Sequence, residues 1–169
     1  TFREDELDAK MDSVCTICED SGAVDVLEAD DRIWNMRRNV QTSCEMVSKV
    51  FLTDDVVVPV HKIASTIEKI MEIGENYPFQ VKINAHIGDG NIHVLPLNAK
   101  GLTPEEWFEK IKAFHRDLFP RVYALGGKMS GEHGIGFKKL EEFALCTPEA
   151  ELNVIKAIKK ALDPNDIMN

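Results

Sequence analysis

No run of apolar residues in this chain approaches the roughly eighteen that a membrane-crossing helix takes, which excludes a helical span. Cysteine is scarce: Cys15, Cys18, Cys44 and Cys146 are four in a chain of 169 residues. That is no disulfide framework, because a chain of this size can build its own core. A GxGxxG turn after a strand is missing, as is a Walker-type glycine–lysine loop, so neither common nucleotide-binding fingerprint is present. Positive charge is in deficit. The net charge of −9 and pI near 5.0 argue against nucleic acid or anionic membrane as partner, because those are held by clustered Lys and Arg. The N-terminus is acidic, unlike a signal peptide. The expectation is a soluble, cytoplasmic protein, with any membrane association peripheral and through partners.

With 44% hydrophobic residues the chain can bury one sizeable core. Without a linker, repeat or low-complexity stretch, residues 1–169 are expected to form a single domain. The most informative segment is His86-Ile87-Gly88-Asp89-Gly90-Asn91-Ile92-His93. Asp-Gly between β-prone residues signals a two-residue hairpin turn. That turn would set His86 opposite His93, projecting from one face about 4.5–5.5 Å apart at Cβ and able to converge on one ion. A carboxylate to join them is found in Ser130-Gly131-Glu132-His133-Gly134-Ile135-Gly136, whose glycines suit a loop that presents Glu132 and His133 into a pocket. Two histidines and one carboxylate with open positions describe a catalytic metal site rather than a closed structural one. The residues alone leave a second reading open, in which His86 and His93 are satisfied sheet histidines and the glycine loop is only a tight connection.

Helical and strand patterns alternate along the chain. A first helix is expected from about Asp5 to Asp20, stopping at Gly22. Its stripe of Leu7, Met11, Val14, Cys15 and Cys18 makes Cys15-Thr16-Ile17-Cys18 a buried helical pair rather than a zinc or redox motif, since no second CxxC follows. A short strand around Val24 to Glu28 precedes a second helix from about Asp30 to Val50, on which Arg37 sits beside Arg38. Val56 to Val58 read as a strand ending at Pro59, and Ile63, Ile67, Ile70 and Met71 stripe the next helix. Strands near Phe79–Ile87 and Asn91–Leu97 form the histidine hairpin. Thr103-Pro104-Glu105-Glu106 is a capping box opening a helix with Trp107, Ile111, Phe114 and Leu118 on one face. Pro120 is expected to end or kink that helix. Gly126-Gly127 leads to the Glu132-His133 loop, and a final helix begins near Thr147-Pro148. His61 and His115 have no partner motif. The fold class this implies is α+β: an antiparallel sheet with helices mainly on one face, ferredoxin-like elements, and a C-terminal helical segment.

The two motifs HIGDGNIH and SGEHGIG, in this order, resemble the signature of the C-terminal domain of FAD-linked oxidases. The enzymes of that family oxidise D-2-hydroxy acids and include D-lactate dehydrogenase, the glycolate oxidase D subunit and D-2-hydroxyglutarate dehydrogenase. The resemblance runs from Trp34-Asn35-Met36-Arg37-Arg38 through Asp55-Val56-Val57-Val58-Pro59 to the terminal run Leu162 to Asn169. It implies that His86, His93 and Glu132 hold a divalent metal, Zn²⁺ or alternatively Mn²⁺ or Fe²⁺. It implies further that His133 is the catalytic histidine, that Arg37 and Asn91 bind substrate, and that Asn169 lies on the cofactor side. FAD would be held mainly by an N-terminal domain absent from this chain, so the chain is expected to be the cap or substrate domain of a larger enzyme, with both ends cut. Thr53 and Leu95 stand where some relatives carry a lysine and a polar residue, which argues against a dicarboxylate substrate. Partners would be a small 2-hydroxy acid, the flavin domain, and an electron-accepting protein or quinone, and the uncovered surface could drive self-association. The competing readings are a stand-alone metallohydrolase and a non-catalytic assembly module.

Overall fold

The computed structural model describes residues 3–168. Asn169, assigned above to the cofactor side, lies outside them. The chain divides into two compact units, residues 1–41 and 42–169. The first carries α1 (Glu4–Asp20) and α2 (Arg32–Arg38). Helix α1 ends as its sequence dictates. Gly22 takes φ +90, and the N–H groups of Gly22 and Ala23 turn back to the carbonyls of Glu19 and Cys18.

The strand expected around Val24–Glu28 does not form. Its apolar residues Val24 and Leu27 are exposed, and five residues without sheet partners have nothing to pair with. The single helix expected from Asp30 to Val50 is two. Asn39, at φ −97 and ψ 8, leaves helical geometry between α2 and α3 (Val40–Val47).

The second unit is built on a four-stranded antiparallel sheet in the order β2-β3-β1-β4. The strands are β1 (Asp54–Val57), β2 (Gln80–His86), β3 (Asn91–Leu97) and β4 (Lys128–Met129). The short edge strand β4 was not foreseen, since two residues after a Gly-Gly pair carry no periodicity to read. A 3₁₀ turn at Val60–Lys62, with His61 exposed, leads into α4 (Ile63–Gly74). Helix α5 (Pro104–Ala124) opens with the expected capping box. Thr103 Oγ1 accepts the Glu106 N–H at 3.2 Å, and the Thr103 N–H donates to Glu106 Oε2 at 2.9 Å. Pro120 neither ends it nor stops it short of Ala124. The flanking Leu118, Phe119 and Val122 are buried, and their packing offsets the one backbone hydrogen bond a proline removes. Two helices follow, α6 (Leu140–Cys146), unforeseen, and α7 (Glu149–Leu162).

Strand alternation divides the sheet cleanly. Val56, Ile92 and Ala85 lie side by side across β1, β3 and β2, as do Asp54, Val94 and Ile83. This face packs on α4 and α5 through Ile63, Ile70, Ile73, Phe114, Leu118 and Val122. Phe114 meets Phe79 edge-on at 5.4 Å and Tyr77 at 5.3 Å between centroids, the geometry aromatic rings prefer. His115 is buried here too, its Nε2 2.7 Å from Asp54 Oδ2. The opposite face presents Asp55, His93 and Asn84 in one row and Val57, Asn91 and His86 in the next. Its far end, at Leu95 and Leu97, is covered by Cys44 and Phe51. The end at the β2–β3 turn carries the polar groups.

Candidate metal centre

The hairpin register differs from expectation. His86 pairs with Asn91, and His93 pairs with Asn84, so the connection is the four-residue loop Ile87–Gly90 rather than Asp89-Gly90 alone. The His86 carbonyl accepts the N–H of both Asp89 (3.3 Å) and Gly90 (3.2 Å), and Asp89 Oδ1 accepts the Asn91 N–H at 3.0 Å. The turn signal was correct in place, but the loop opens two residues earlier on β2, after His86 rather than Gly88, while β3 still begins at Asn91. A one-residue slip would have sent one histidine to the core face. This shift is even, so both imidazoles stay on the polar face as diagonal neighbours, with ring centroids 5.2 Å apart.

The carboxylate arrives from the segment after β4. Pairing of Val56 with Met129 brings Ser130 alongside Asp55, whose carbonyl accepts the Ser130 N–H at 2.9 Å. Ser130 then turns sharply at φ +67, and its Oγ accepts the Gly134 N–H at 2.6 Å. Glu132 Oε1 thereby comes within 2.8 Å of His93 Nε2 and 3.6 Å of His86 Nε2. All three potential ligand atoms lie within 4.8 Å of one another. Tetrahedral Zn²⁺ with ligand bonds of about 2.0–2.1 Å sets neighbouring donors about 3.4 Å apart, so one ion fits between them with small side-chain adjustment. His93 is nearly enclosed while Glu132 remains half exposed, which leaves the cluster open on one side for a further ligand.

His133 stacks on His93 at 4.9 Å between centroids. Its Nε2 lies 3.8 Å from Glu132 Oε1, and its Nδ1 lies 3.6 Å from Asp55 Oδ2. Asn91 is buried with Nδ2 3.4 Å from His93 Nε2, and among the described residues its Oδ1 has no hydrogen-bond partner. Gly131 lies close by, and a Cβ there would meet Asn91 Oδ1 at 2.8 Å. Arg37 belongs to the first unit, exposed in the last turn of α2. His86, His93, Glu132, His133 and Asn91 therefore come together from two separate sequence motifs.

Sequence reasoning overlooked Asp55. Its side chain is fully buried and accepts the N–H groups of Gly131, Glu132 and His133 as well as the Ser130 hydroxyl. Burial pushes its carboxyl up, but the backbone N–H groups of His133, Gly131 and Glu132 and the Ser130 hydroxyl outweigh this and hold it below the ordinary carboxylate value. The available signal was acidic residues leading directly into a β-branched run, a residue type depleted from strands.

A cavity of about 430 Å³ lined by Leu52, Trp107, Ile111, His115, Phe137 and Glu142 opens on the helix side. Its lining shares no residue with the cluster.

The second unit is thus a helix-backed antiparallel sheet whose polar face brings two imidazoles and a carboxylate together. Comparison with known proteins gives its kinship: residues 1–169 match the family described as FAD linked oxidases, C-terminal domain, and the chain belongs to that family. It is 28% identical over 171 aligned residues to a D-lactate dehydrogenase of Anaerostipes hadrus, covering 98% of this chain and 36% of that protein. A D-lactate dehydrogenase of Archaeoglobus fulgidus is 32% identical over 165 residues, 95% of this chain and 35% of the relative. A D-2-hydroxyglutarate dehydrogenase of Stutzerimonas stutzeri is 36% identical over 118 residues, 69% and 25% respectively. The chain thus spans about a third or less of the length of these relatives. No helix among the described residues is long and apolar enough to cross a membrane.

Proposed function

We propose that this chain is the substrate- and metal-binding part of an FAD-dependent enzyme that oxidises a D-2-hydroxy acid of the lactate or glycolate type. The observation that carries the reading is the convergence of His86, His93 and Glu132 within 4.8 Å, with the His133 ring stacked beside them. His86, His93 and Glu132 would hold a divalent ion, Zn²⁺ being the best match to two imidazoles and one carboxylate. When bound, the ion would supply polarisation of the substrate hydroxyl and the flavin would supply the hydride acceptor.

The residues of this chain bind, orient and take the proton. His133 presents Nε2 toward the cluster and Nδ1 toward the Asp55 carboxylate, so Nε2 is the atom that receives the hydroxyl proton. Asn91 borders the cluster and limits how the substrate approaches His93. Arg37, on the first unit, carries a planar guanidinium of the kind that grips a carboxylate by two parallel hydrogen bonds, the role the family resemblance implies for it. Leu95 is buried against Cys44 and offers no polar contact to a second carboxylate, which favours a short acid.

The test is the metal content of the purified chain, beside His86→Ala and Glu132→Ala, after reloading with zinc or manganese. Near-stoichiometric metal that both substitutions abolish is expected. Metal retained by both variants, or none in the unsubstituted chain, would refute the metal assignment.

A further inference from the structure

We infer that Asp55 is the positioning residue of this site: its buried carboxylate fixes the backbone of the Ser130–Gly134 loop and so sets where Glu132 and His133 point. The inference rests on the metal reading above and extends it to a residue that touches neither ion nor substrate. Glu132 and His133 sit between Gly131 and Gly134, in a stretch with little side-chain packing of its own. Both side chains are about half exposed. What holds the loop is polar and concentrated at one point. Gly131 N–H reaches Asp55 Oδ1, while Glu132 N–H at 3.1 Å, His133 N–H and Ser130 Oγ at 3.1 Å all reach Oδ2. Three consecutive backbone donors directed at one anion form a nest, which only an acceptor without hydrogens can satisfy.

Asp55 is itself fixed. It is fully buried, it pairs with His93 across β1 and β3, and its own carbonyl accepts the Ser130 N–H. The strand bearing one ligand and the loop bearing another are therefore referenced to the same residue. An amide is no substitute. Whichever way Asn is turned, its NH₂ faces either the Gly131 N–H or the other three donors, and the loop must move to relieve the conflict.

Asp54, the adjacent residue, provides the control. It is also buried but lies on the helix face, paired with His115 and, at 4.0 Å, with Lys139 rather than with the Ser130–Gly134 backbone. Asp54→Asn disturbs the core and leaves the nest intact. Zinc affinity by chelator competition and the visible spectrum of the Co²⁺-loaded chain are measured for the unsubstituted chain, Asp54→Asn and Asp55→Asn, beside thermal melts without metal. The expected result is weaker zinc binding by about 10–100-fold and an altered Co²⁺ spectrum for Asp55→Asn. Asp54→Asn should melt earlier yet bind within a few-fold of the unsubstituted chain. Unchanged affinity and spectrum in Asp55→Asn would overturn the inference while leaving the metal site standing. Equal losses of affinity in both variants would reduce Asp55 to a general stabilising role and also overturn it. An unsubstituted chain that binds no zinc would instead refute the metal reading, before Asp55 is at issue. Should Asp55→Asn fail to fold, Ser130→Ala decides, since it removes the hydroxyl donor to Oδ2 and the acceptor of Gly134 N–H; reduced affinity supports the inference and unchanged affinity refutes it.

Discussion

Replacing Gly90 by alanine should cost about 2–4 kcal/mol, because two independent penalties meet at that position. The first is conformational. Gly90 closes the β2–β3 turn at φ +86, where a residue with a Cβ pays about 1–2 kcal/mol. The second is a collision: a Cβ on Gly90 would stand 2.1 Å from the backbone oxygen of Val58, against about 3.3 Å for an ordinary carbon–oxygen contact. The neighbour is main chain and has no rotamer to change. Relief requires drawing the end of β1 away from the turn, which also weakens the Val58 N–H to Gly90 O bond of 3.0 Å, worth about 1 kcal/mol. For a chain of this length the sum corresponds to a fall in Tm of about 5–12 °C. Gly88→Ala is the matched comparison. A Cβ there meets nothing within 4 Å, so its effect should stay within about 0.5 kcal/mol. Urea and thermal denaturation of both variants measure the difference. A Gly90→Ala protein that melts with Gly88→Ala and the parent would refute the claim that the turn is locked against β1.

Three further outcomes follow from the same geometry. His115→Ala leaves Asp54 buried with only the Lys139 ammonium, at 4.0 Å, beside it and should destabilise by about 2–3 kcal/mol, while the Asp54→Ala, His115→Ala double variant should lose less than the sum of the singles; additivity in denaturation would deny the pairing. The Lys159 ammonium and the N–H groups of Ile167 and Met168 hold the Asp163 carboxyl down at about 2, below its ordinary 3.8. A depressed carboxyl contributes stability above its unfolded pKa and loses it as pH falls through the folded one. Amide protection factors at Ile167 and Met168 should therefore hold above pH 4 and drop toward pH 2; protection equal at pH 2 and pH 5 would contradict the tether. Burial pushes the Cys44 and Cys146 thiols up, so alkylation at neutral pH followed by peptide mapping should label Cys15 and Cys18 first, and early labelling of Cys44 would count against its place beneath Leu95 and Leu97.

Much of the frame was legible because it rests on local signals. The capping box at Thr103, the Gly22 stop of α1 and the two strand spans of the histidine hairpin each rest on signals within a few residues, and each holds. The failures share a cause as well. The helix expected from Asp30 to Val50 ran on through Asn39, yet periodicity cannot show where a single residue leaves helical geometry. The apolar residues near Val24 matched a strand, but a strand exists only against a partner, and the sheet edge went to β4 instead. Burial of the α1 stripe was likewise expected from spacing, whereas Leu7, Met11 and Val14 remain about half exposed and Cys15 and Cys18 partly so. The pairing of His86 with His93 failed in detail for a different reason. Asp-Gly marks where a turn lies, not how many residues precede it, and the Asp89 side chain bonding forward to the Asn91 N–H selects the longer loop.

The dipeptide Asp54-Asp55 shows why the site was only half readable. In sequence it is two like charges before a run of valines. In the sheet the two-residue period sends one carboxylate to each face, where neither meets the other's surroundings. Asp54 finds an imidazole from α5, and Asp55 finds a nest of N–H groups from the segment after β4. Both partners are remote in the chain, and one of them is main chain, which carries no residue letter at all. Side-chain chemistry can be inferred from residue types, so His86, His93 and Glu132 could be proposed as a set. An anion whose role is to bind backbone leaves no such pattern. Its only trace in sequence is its own oddity as a buried charge in a β-branched strand, and two adjacent oddities with different partners are separable only when their faces are known.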